Sequence, residues 1–183
     1  MKKIILLAIL LISSLQCSFG QERQVNQPPK KNKNWVIDEN ASYYIEYPKE
    51  WKIDKSGTMG TSLILFSPIT SSEDSFSENV NLMIQDLGGM DINLDEFVEL
   101  SEKQVKTLIT DGNIELSKRI NASNGTFHKI IYTGKQGILK LKFEQYYWMV
   151  DEKAYILTLT CGDDTFEEFQ IAGEKILDSF RIK

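Results

Sequence analysis

The stretch that most constrains the fold is residues 138–161, ILKLKFEQYYWMVDEKAYILTLTC. Leu139, Leu141, Phe143, Tyr147 and Met149 share one parity, and Lys140, Lys142, Glu144, Tyr146 and Trp148 the other, which is the period of two of a β-strand. Residues 154–161 are β-branched, aliphatic or aromatic almost throughout. Between the two runs Asp151, Glu152 and Lys153 have no claim on a core, so a long antiparallel hairpin is expected to close there. A three-residue loop pairs Val150 with Ala154 and sets Leu157, Leu159 and Cys161 on the face of Phe143, Tyr147 and Met149. A loop of even length sets them beside Glu144 and Lys142 instead, because a slip of one residue moves every side chain to the other face. The odd loop keeps apolar groups together and is the expectation. This hairpin should lie at the sheet centre.

The N-terminus has a different purpose. Lys2 and Lys3 precede an unbroken apolar run, residues 4–12, and Ser18-Phe19-Gly20 offers small residues where a signal peptidase reads. That run is shorter than the roughly 20 apolar residues of a bilayer-spanning helix. The expected organisation is a signal peptide over 1–20, a flexible tether over 21–40 and one domain over 41–183. The chain is thus expected to be exported, to the periplasm or beyond. The alternative is a lipoprotein anchored through Cys17, although Gln16 stands where a small residue usually precedes a lipidated Cys. Loss of Lys2 and Lys3 takes the formal charge from −5 to −7, a balance that favours neither nucleic acid nor an anionic membrane. Membrane association is expected only if Cys17 is lipidated. Cleavage after Gly20 leaves Cys161 alone, without an internal disulfide.

Residues 21–34, QERQVNQPPKKNKN, have too few apolar side chains to offset their ordering entropy. The domain opens with Tyr43, Ile45 and Tyr47 on one parity, and Pro48 presets a turn after which residues 51–55 are expected to run back as a hairpin partner. Residues 62–66 (SLILF) read as a strand covered on both faces, and residues 79–86 as a strand with Val80, Leu82 and Ile84 facing one way. The polar loop between them, 67–78, is long for a compact domain. Asn93 with Glu96 predicts a capping box, and Leu94, Phe97, Ser101, Val105, Leu108 and Ile109 form a helical stripe stopped by Gly112. Asn124-Gly125 predicts a tight hairpin turn. After Cys161 comes a second helix capped by Asp163 or by a Thr165/Glu168 box, with the inner stripe Phe166, Phe169, Gly173, Ile176, Leu177 and Phe180. Gly173 on that stripe points to a close approach of helix and sheet. The fold class is therefore α+β: an antiparallel sheet of about eight strands flanked by two amphipathic helices.

The opening Tyr43-x-Ile45-x-Tyr47-Pro48-x-x-Trp51, the long hairpin and the closing Ile176-Leu177-Asp178-Ser179-Phe180-Arg181 resemble the PsbP-like family, in particular its DcrB-like bacterial envelope branch. The resemblance covers roughly 41–183 and rests on packing motifs. It implies a sheet sandwiched by helices and a non-catalytic role in binding or assembly. Members have unrelated partners, so the shared fold does not name one.

The chemistry present agrees with that. His128 is the single histidine, and neither H-x-x-x-H nor C-x-x-C occurs, so neither a metal nor another cofactor is expected. Cys161 and His128 are the available thiol nucleophile and base, which makes a small thiol hydrolase the alternative if the two meet. A buried strand-end Cys is the commoner reading. The carboxylate pairs Glu73-Asp74, Asp163-Asp164 and Glu167-Glu168 read as solvated charge. Tyr132, Tyr146, Trp148 and Tyr155 line a ligand cleft only if no helix covers them, and a small-molecule carrier needs an apolar cavity of several hundred Å³. The leading expectation is a non-enzymatic envelope module that binds a protein partner through loops 67–78 or 88–92, with Glu73, Asp74, Phe76 and Met90 as candidate surface residues.

Overall fold

The computed structural model describes residues 34–69, 76–122 and 125–183. The expected signal peptide, Cys17, Glu73 and Asp74 lie outside the described residues. Ten strands and two helices follow one another as β1 (Trp35–Glu39), β2 (Tyr43–Pro48), β3 (Lys52–Asp54), β4 (Leu63–Phe66), β5 (Asn79–Asp86), α1 (Leu94–Leu108), β6 (Thr110–Ala122), β7 (Gly125–Gln136), β8 (Leu139–Val150), β9 (Lys153–Gly162), α2 (Phe166–Ser179) and β10 (Arg181–Ile182). All pairings are antiparallel, in a seven-stranded sheet of order β3-β4-β5-β9-β8-β7-β6 and a small sheet of order β1-β2-β10. The α+β expectation holds, with the long hairpin β8-β9 at the sheet centre.

Two strands exceed the expected eight. Residues 35–39, assigned to the tether, form β1, because Val36 and Ile37 can pair in register with Tyr47 and Glu46. The two-residue β10 closes the other side of β2. The expected hairpin between β2 and β3 does not form. Trp51 N–H bonds Pro48 O at 2.9 Å in the turn, and β3 then leaves to pair with β4 in the large sheet.

The central hairpin corrects the loop length. Val150 pairs with Lys153, so the turn has two residues, Asp151 (φ 50) and Glu152 (φ 57), both in the left-handed region that a type I′ turn demands. The even loop reverses the expected facing. Leu157 stands opposite Tyr146, Leu159 opposite Glu144 and Cys161 opposite Lys142, while Phe143, Tyr147 and Met149 meet Thr160, Ile156 and Ala154. Local turn geometry outweighs segregation of apolar side chains. Both faces of the sheet can accept this because each lies under its own helix.

Beneath α1 lie Phe143, Tyr147, Tyr132, Leu141 and Ile156, packed on Phe97, Val98 and Val105 of the helix. Phe97 meets the Tyr147 ring edge-on at a centroid distance of 5.6 Å. The opposite face carries Tyr146, Trp148, Tyr155, Leu157, Leu159 and Cys161 against Phe166, Ile176, Leu177 and Phe180, with Tyr43, Ile45 and Tyr47 of the small sheet closing that side. Tyr132, Tyr146, Trp148 and Tyr155 are all buried, in agreement with a core role rather than a ligand cleft.

The α1 capping box is present: Asn93 Oδ1 accepts from Asp95 N–H (2.9 Å) and Glu96 N–H (3.1 Å), while Glu96 Oε2 accepts from Asn93 N–H (2.9 Å). Its end differs from expectation. The helix runs straight into β6, Leu108 is 65% exposed, and Gly112 lies within the strand rather than at the stop. The α2 capping box is absent, since Thr165 Oγ1 donates to Glu78 Oε1 at 2.6 Å instead. The close approach at Gly173 is borne out: a Cβ there would lie 2.4 Å from Leu159 Cδ2. In the β6-β7 hairpin Ala122 pairs with Gly125, so Gly125 is the first residue of β7 rather than part of the turn that the Asn-Gly reading places there.

Candidate partner-binding surface

His128 and Cys161 do not meet. His128 pairs across from Tyr147 and Cys161 across from Lys142, five residues apart along β8 and of opposite parity. That spacing is about 17 Å of strand, on opposite faces of the sheet. Cys161 is fully buried under α2, and burial, followed by the negative fields of Glu78 and Glu144, pushes its thiol pKa far up. A protonated, sealed thiol is a poor nucleophile.

The neighbour His128 does have is Ser117, whose Oγ lies 2.7 Å from Nε2. Ser117 in turn donates to Glu102 Oε1 of α1 at 2.5 Å. A serine hydroxyl has one proton, and here it goes to the carboxylate, so His128 Nε2 must carry the hydrogen and donate to Ser117. Such wiring is opposite to that of a serine nucleophile handing its proton to a histidine base. The carboxylate is bonded to Ser117, and His128 Nδ1 is buried without a hydrogen-bond partner. Burial lowers the His128 pKa, with Arg119 adding to the effect and Glu102 and Asp95 opposing it. The Glu102-Ser117-His128 chain thus fastens α1 to β6 and β7.

A charged cluster under α2 is not visible in the sequence pattern. Lys129 Nζ pairs with Glu144 Oε1 at 2.5 Å and with Glu174 Oε1 at 2.9 Å, and sits 5.5 Å above the Tyr146 ring. The Glu144 side chain has no solvent exposure. Desolvation raises its pKa more than Lys129 lowers it. Desolvation also opposes the charged forms of Lys129 and Glu174, yet their mutual bonds win, so Lys129 titrates higher and Glu174 lower than usual. The β7-β8 pairing brings Lys129 to the face of Glu144 and Tyr146, and the two-residue turn sets Leu159 beside Glu144 on the same side.

One surface open for recognition lies beside the loop 87–93. Leu87 is buried and its N–H bonds Glu152 O at 2.8 Å, tying the loop to the central turn. Gly88 N–H bonds Asp86 Oδ1 at 2.8 Å, Met90 N–H bonds Leu87 O at 2.9 Å, and Gly89 (φ 78) and Asp91 (φ 45) take left-handed backbone. This braced loop and the first three turns of α1 border a groove of about 520 Å³. Met90, Ile92 and Leu100 give it an apolar floor, and Asp91, Glu96, Glu99 and Lys103 a rim with two more negative than positive charges. The groove is open to solvent, with charged side chains along its edge.

Of the four candidate surface residues, Met90 lines this groove. Phe76 packs against the α1-side core, as Met90 also does. Phe76 precedes β5 and Met90 follows it, and the eight residues of that strand separate their anchors by about 26 Å. Phe76 and Met90 therefore stand at opposite ends of β5. Among the described residues there is no group of three or more His, Cys, Asp or Glu side chains placed to hold a metal ion, and no helix is long and apolar enough to cross a membrane.

No family model and no curated protein sequence matches the chain. Solved structures do. The solution structure of cyanobacterial PsbP (CyanoP) from Synechocystis sp. PCC 6803 aligns with TM-score 0.61 at 13% identity, over 87% of this chain and 99% of that one. LpqN of Mycobacterium tuberculosis, described as involved in cell envelope biogenesis, aligns with TM-score 0.58 at 12% identity over 81% and 84% of the two chains. PA94 of Pseudomonas aeruginosa, a protein of unknown function, aligns with TM-score 0.57 at 13% identity over 80% and 95%. The fold of this chain is PsbP-like, as its opening aromatic motif and closing helix indicated.

Proposed function

We propose that this chain is an exported, non-enzymatic binding or assembly module of the bacterial cell envelope that recognises a protein partner. The observation that carries the reading is the groove beside Met90: a capped helix and a loop braced at Leu87 hold an apolar floor within an acidic rim. Such a site suits a partner segment that presents an apolar side chain flanked by lysine or arginine. The separation of His128 from Cys161 removes the thiol-hydrolase arrangement, and the shared fold of LpqN supports an envelope setting.

Capture from envelope extract with the wild type beside Met90→Lys and Glu99→Lys tests the reading. A protein retained by the wild type and lost with both variants is expected; equal retention by all three assigns recognition elsewhere. Cell fractionation of the wild type beside Cys17→Ala tests the address. Soluble export leaves the distribution unchanged, whereas lipidation at Cys17 makes the variant leave the membrane fraction.

A further inference from the structure

Strand β5 turns Val80, Leu82 and Ile84 to the α2 side, and on the α1 side it places Asn79, Asn81, Met83 and Gln85. Three carboxamides thus alternate along one stripe of an otherwise apolar face. Asn79 and Asn81 are almost wholly buried. Across the sheet the row continues from Asn81 to Thr158 and Gln145 by strand pairing. Tyr147 OH donates to Gln145 Oε1, and Gln145 Nε2 donates to Thr158 Oγ1 at 3.0 Å. Beyond that, Asn79 Nδ2 donates to Ser77 O at 3.4 Å. Asn81 Oδ1 and Nδ2, Asn79 Oδ1 and Gln85 Oε1 are buried without a partner.

The donors and acceptors left over identify what completes the row. Thr158 Oγ1 uses a lone pair for Gln145, so its own hydroxyl hydrogen is still to be placed, and the nearest strand neighbour on that side is Asn81. A molecule between them must accept from a hydroxyl and donate to an amide oxygen. A second must accept from Asn81 Nδ2 and donate to Asn79 Oδ1, two residues along the same strand. Both tasks need a small neutral molecule that donates and accepts at once. No charged residue belongs to the row, so an ion would lack a counter-charge. Water donates and accepts at once and is the usual partner of buried polar atoms that protein groups leave unbonded.

We propose that the α1-side face of β5 is an interior water site, with ordered water bonded to Asn81, Asn79 and Thr158 and extending the Tyr147-Gln145-Thr158 chain across the sheet. One water bridges Thr158 Oγ1 to Asn81 Oδ1, and another bridges Asn81 Nδ2 to Asn79 Oδ1. Helix α1 packs chiefly over β6, β7 and β8, so the hydrated stripe lies beside the helix footprint rather than under its centre.

The test is water-to-protein cross-relaxation by NMR on the whole chain, read at the side-chain amide protons of Asn81. Cross-peaks of the sign given by long-lived water are expected in the wild type. They are expected to persist in Thr158→Val, which deletes the exchangeable hydroxyl that could relay the signal while leaving the Asn79-Asn81 water in place. Absence of the peaks in the folded wild type overturns the proposal, as does their loss in a folded Thr158→Val. A crystal structure with Asn81 bonded directly to a protein group also overturns it.

Discussion

The two faces of the seven-stranded sheet handle buried polarity in opposite ways. Under α2, the carboxylate of Glu144 stands among Tyr146, Trp148, Leu157 and Leu159 and is answered by a full charge, Lys129, which Glu174 of the helix shares, while the buried Glu78 near the start of α2 is bonded by the Ser67 and Thr165 hydroxyls. Under α1 the buried polar groups are neutral, running from Tyr147 through Gln145 to Thr158 and on to Asn81, and the carboxylate of the Glu102-Ser117-His128 chain lies at the partly exposed far edge. A charge in a dry layer requires a counter-charge in fixed geometry, whereas amides and hydroxyls accept partial bonding. The α2 face should therefore be brittle to removal of one partner and the α1 face tolerant.

The strongest break in that contrast is Lys129→Met. It leaves Glu144 without its cation and Glu174 nearby, and loss of one partner of a buried pair costs about 3–5 kcal/mol. Equilibrium denaturation should show a loss of that order at pH 7, with Lys129→Met/Glu144→Leu recovering most of it. Equal losses in the single and double variants would mean that the charge of Glu144 is not what destabilises the single variant. Acid should rescue the single variant. The pKa of Glu144 is raised, so the native state holds its proton more tightly than the unfolded chain. Stability then falls as pH rises from the ordinary carboxylate value through the raised one, and the penalty is absent below that window.

A smaller effect is expected at Gly173, where α2 touches the sheet. Alanine there gains up to about 1 kcal/mol of helix propensity. Its methyl would meet Leu159 Cδ2 at 2.4 Å and Cδ1 at 2.7 Å, and Leu159 is fully buried in the core under α2. Overpacking of this kind costs about 1–3 kcal/mol, so Gly173→Ala should lower the melting temperature. Leu159→Ala should suppress much of the difference between glycine and alanine at position 173, since the two sites are in contact and their effects are coupled. A Gly173→Ala protein more stable than the wild type would show that the helix backbone does not sit this close.

The sequence makes the layers legible and hides their polar contents, for one reason. Capping at Asn93, the stripe of α2 and the glycine at its contact are written in local spacing, and the structure has them as read. Which face each residue of β9 occupies depends on a single loop length. Asp151-Glu152 lacks the glycine that usually marks a two-residue turn, so the lysine after it reads as part of the loop and Glu144 is not placed beside Leu159. The salt-bridged cluster and the continuation of the β5 carboxamides into Thr158 and Gln145 both follow from pairings between distant segments. Spacing within one segment cannot reveal them. Met90 is legible because it follows a double glycine, whereas the rim residues Glu96 and Glu99 read only as a solvated helix face.

On the α1 face the contrast predicts a response to acid of the opposite sign. Burial holds the His128 pKa below its ordinary value near 6.5, so the unfolded chain binds this proton more readily than the native one. The contribution of His128 to stability is present above the ordinary value and is lost as pH falls below it. His128→Gln should flatten the stability profile in that window while leaving the Glu144 effect in place. A profile unchanged by the substitution would assign the slope to another group.

The smallest effect on stability is expected at the groove, where the change should appear in binding alone. Glu99 is exposed on the outer side of α1, and among the described residues no hydrogen bond or ion pair holds it in place. Met90 is half-buried at the tip of a loop already fixed by Leu87, Gly88 and Asp91. Glu99→Lys should shift unfolding free energy by no more than about 0.5 kcal/mol, as surface substitutions usually do. It nevertheless changes the rim by two charge units, from a net excess of negative charge to balance, which weakens attraction for a basic segment and slows its association more than it speeds release. Association rates measured at two salt concentrations separate the possibilities: a wild-type rate that falls with salt beside a slower, salt-insensitive Glu99→Lys rate locates recognition at the acidic rim. Parallel salt dependence in both proteins would place the partner on another surface, and the α1 face would then be distinguished by its interior alone.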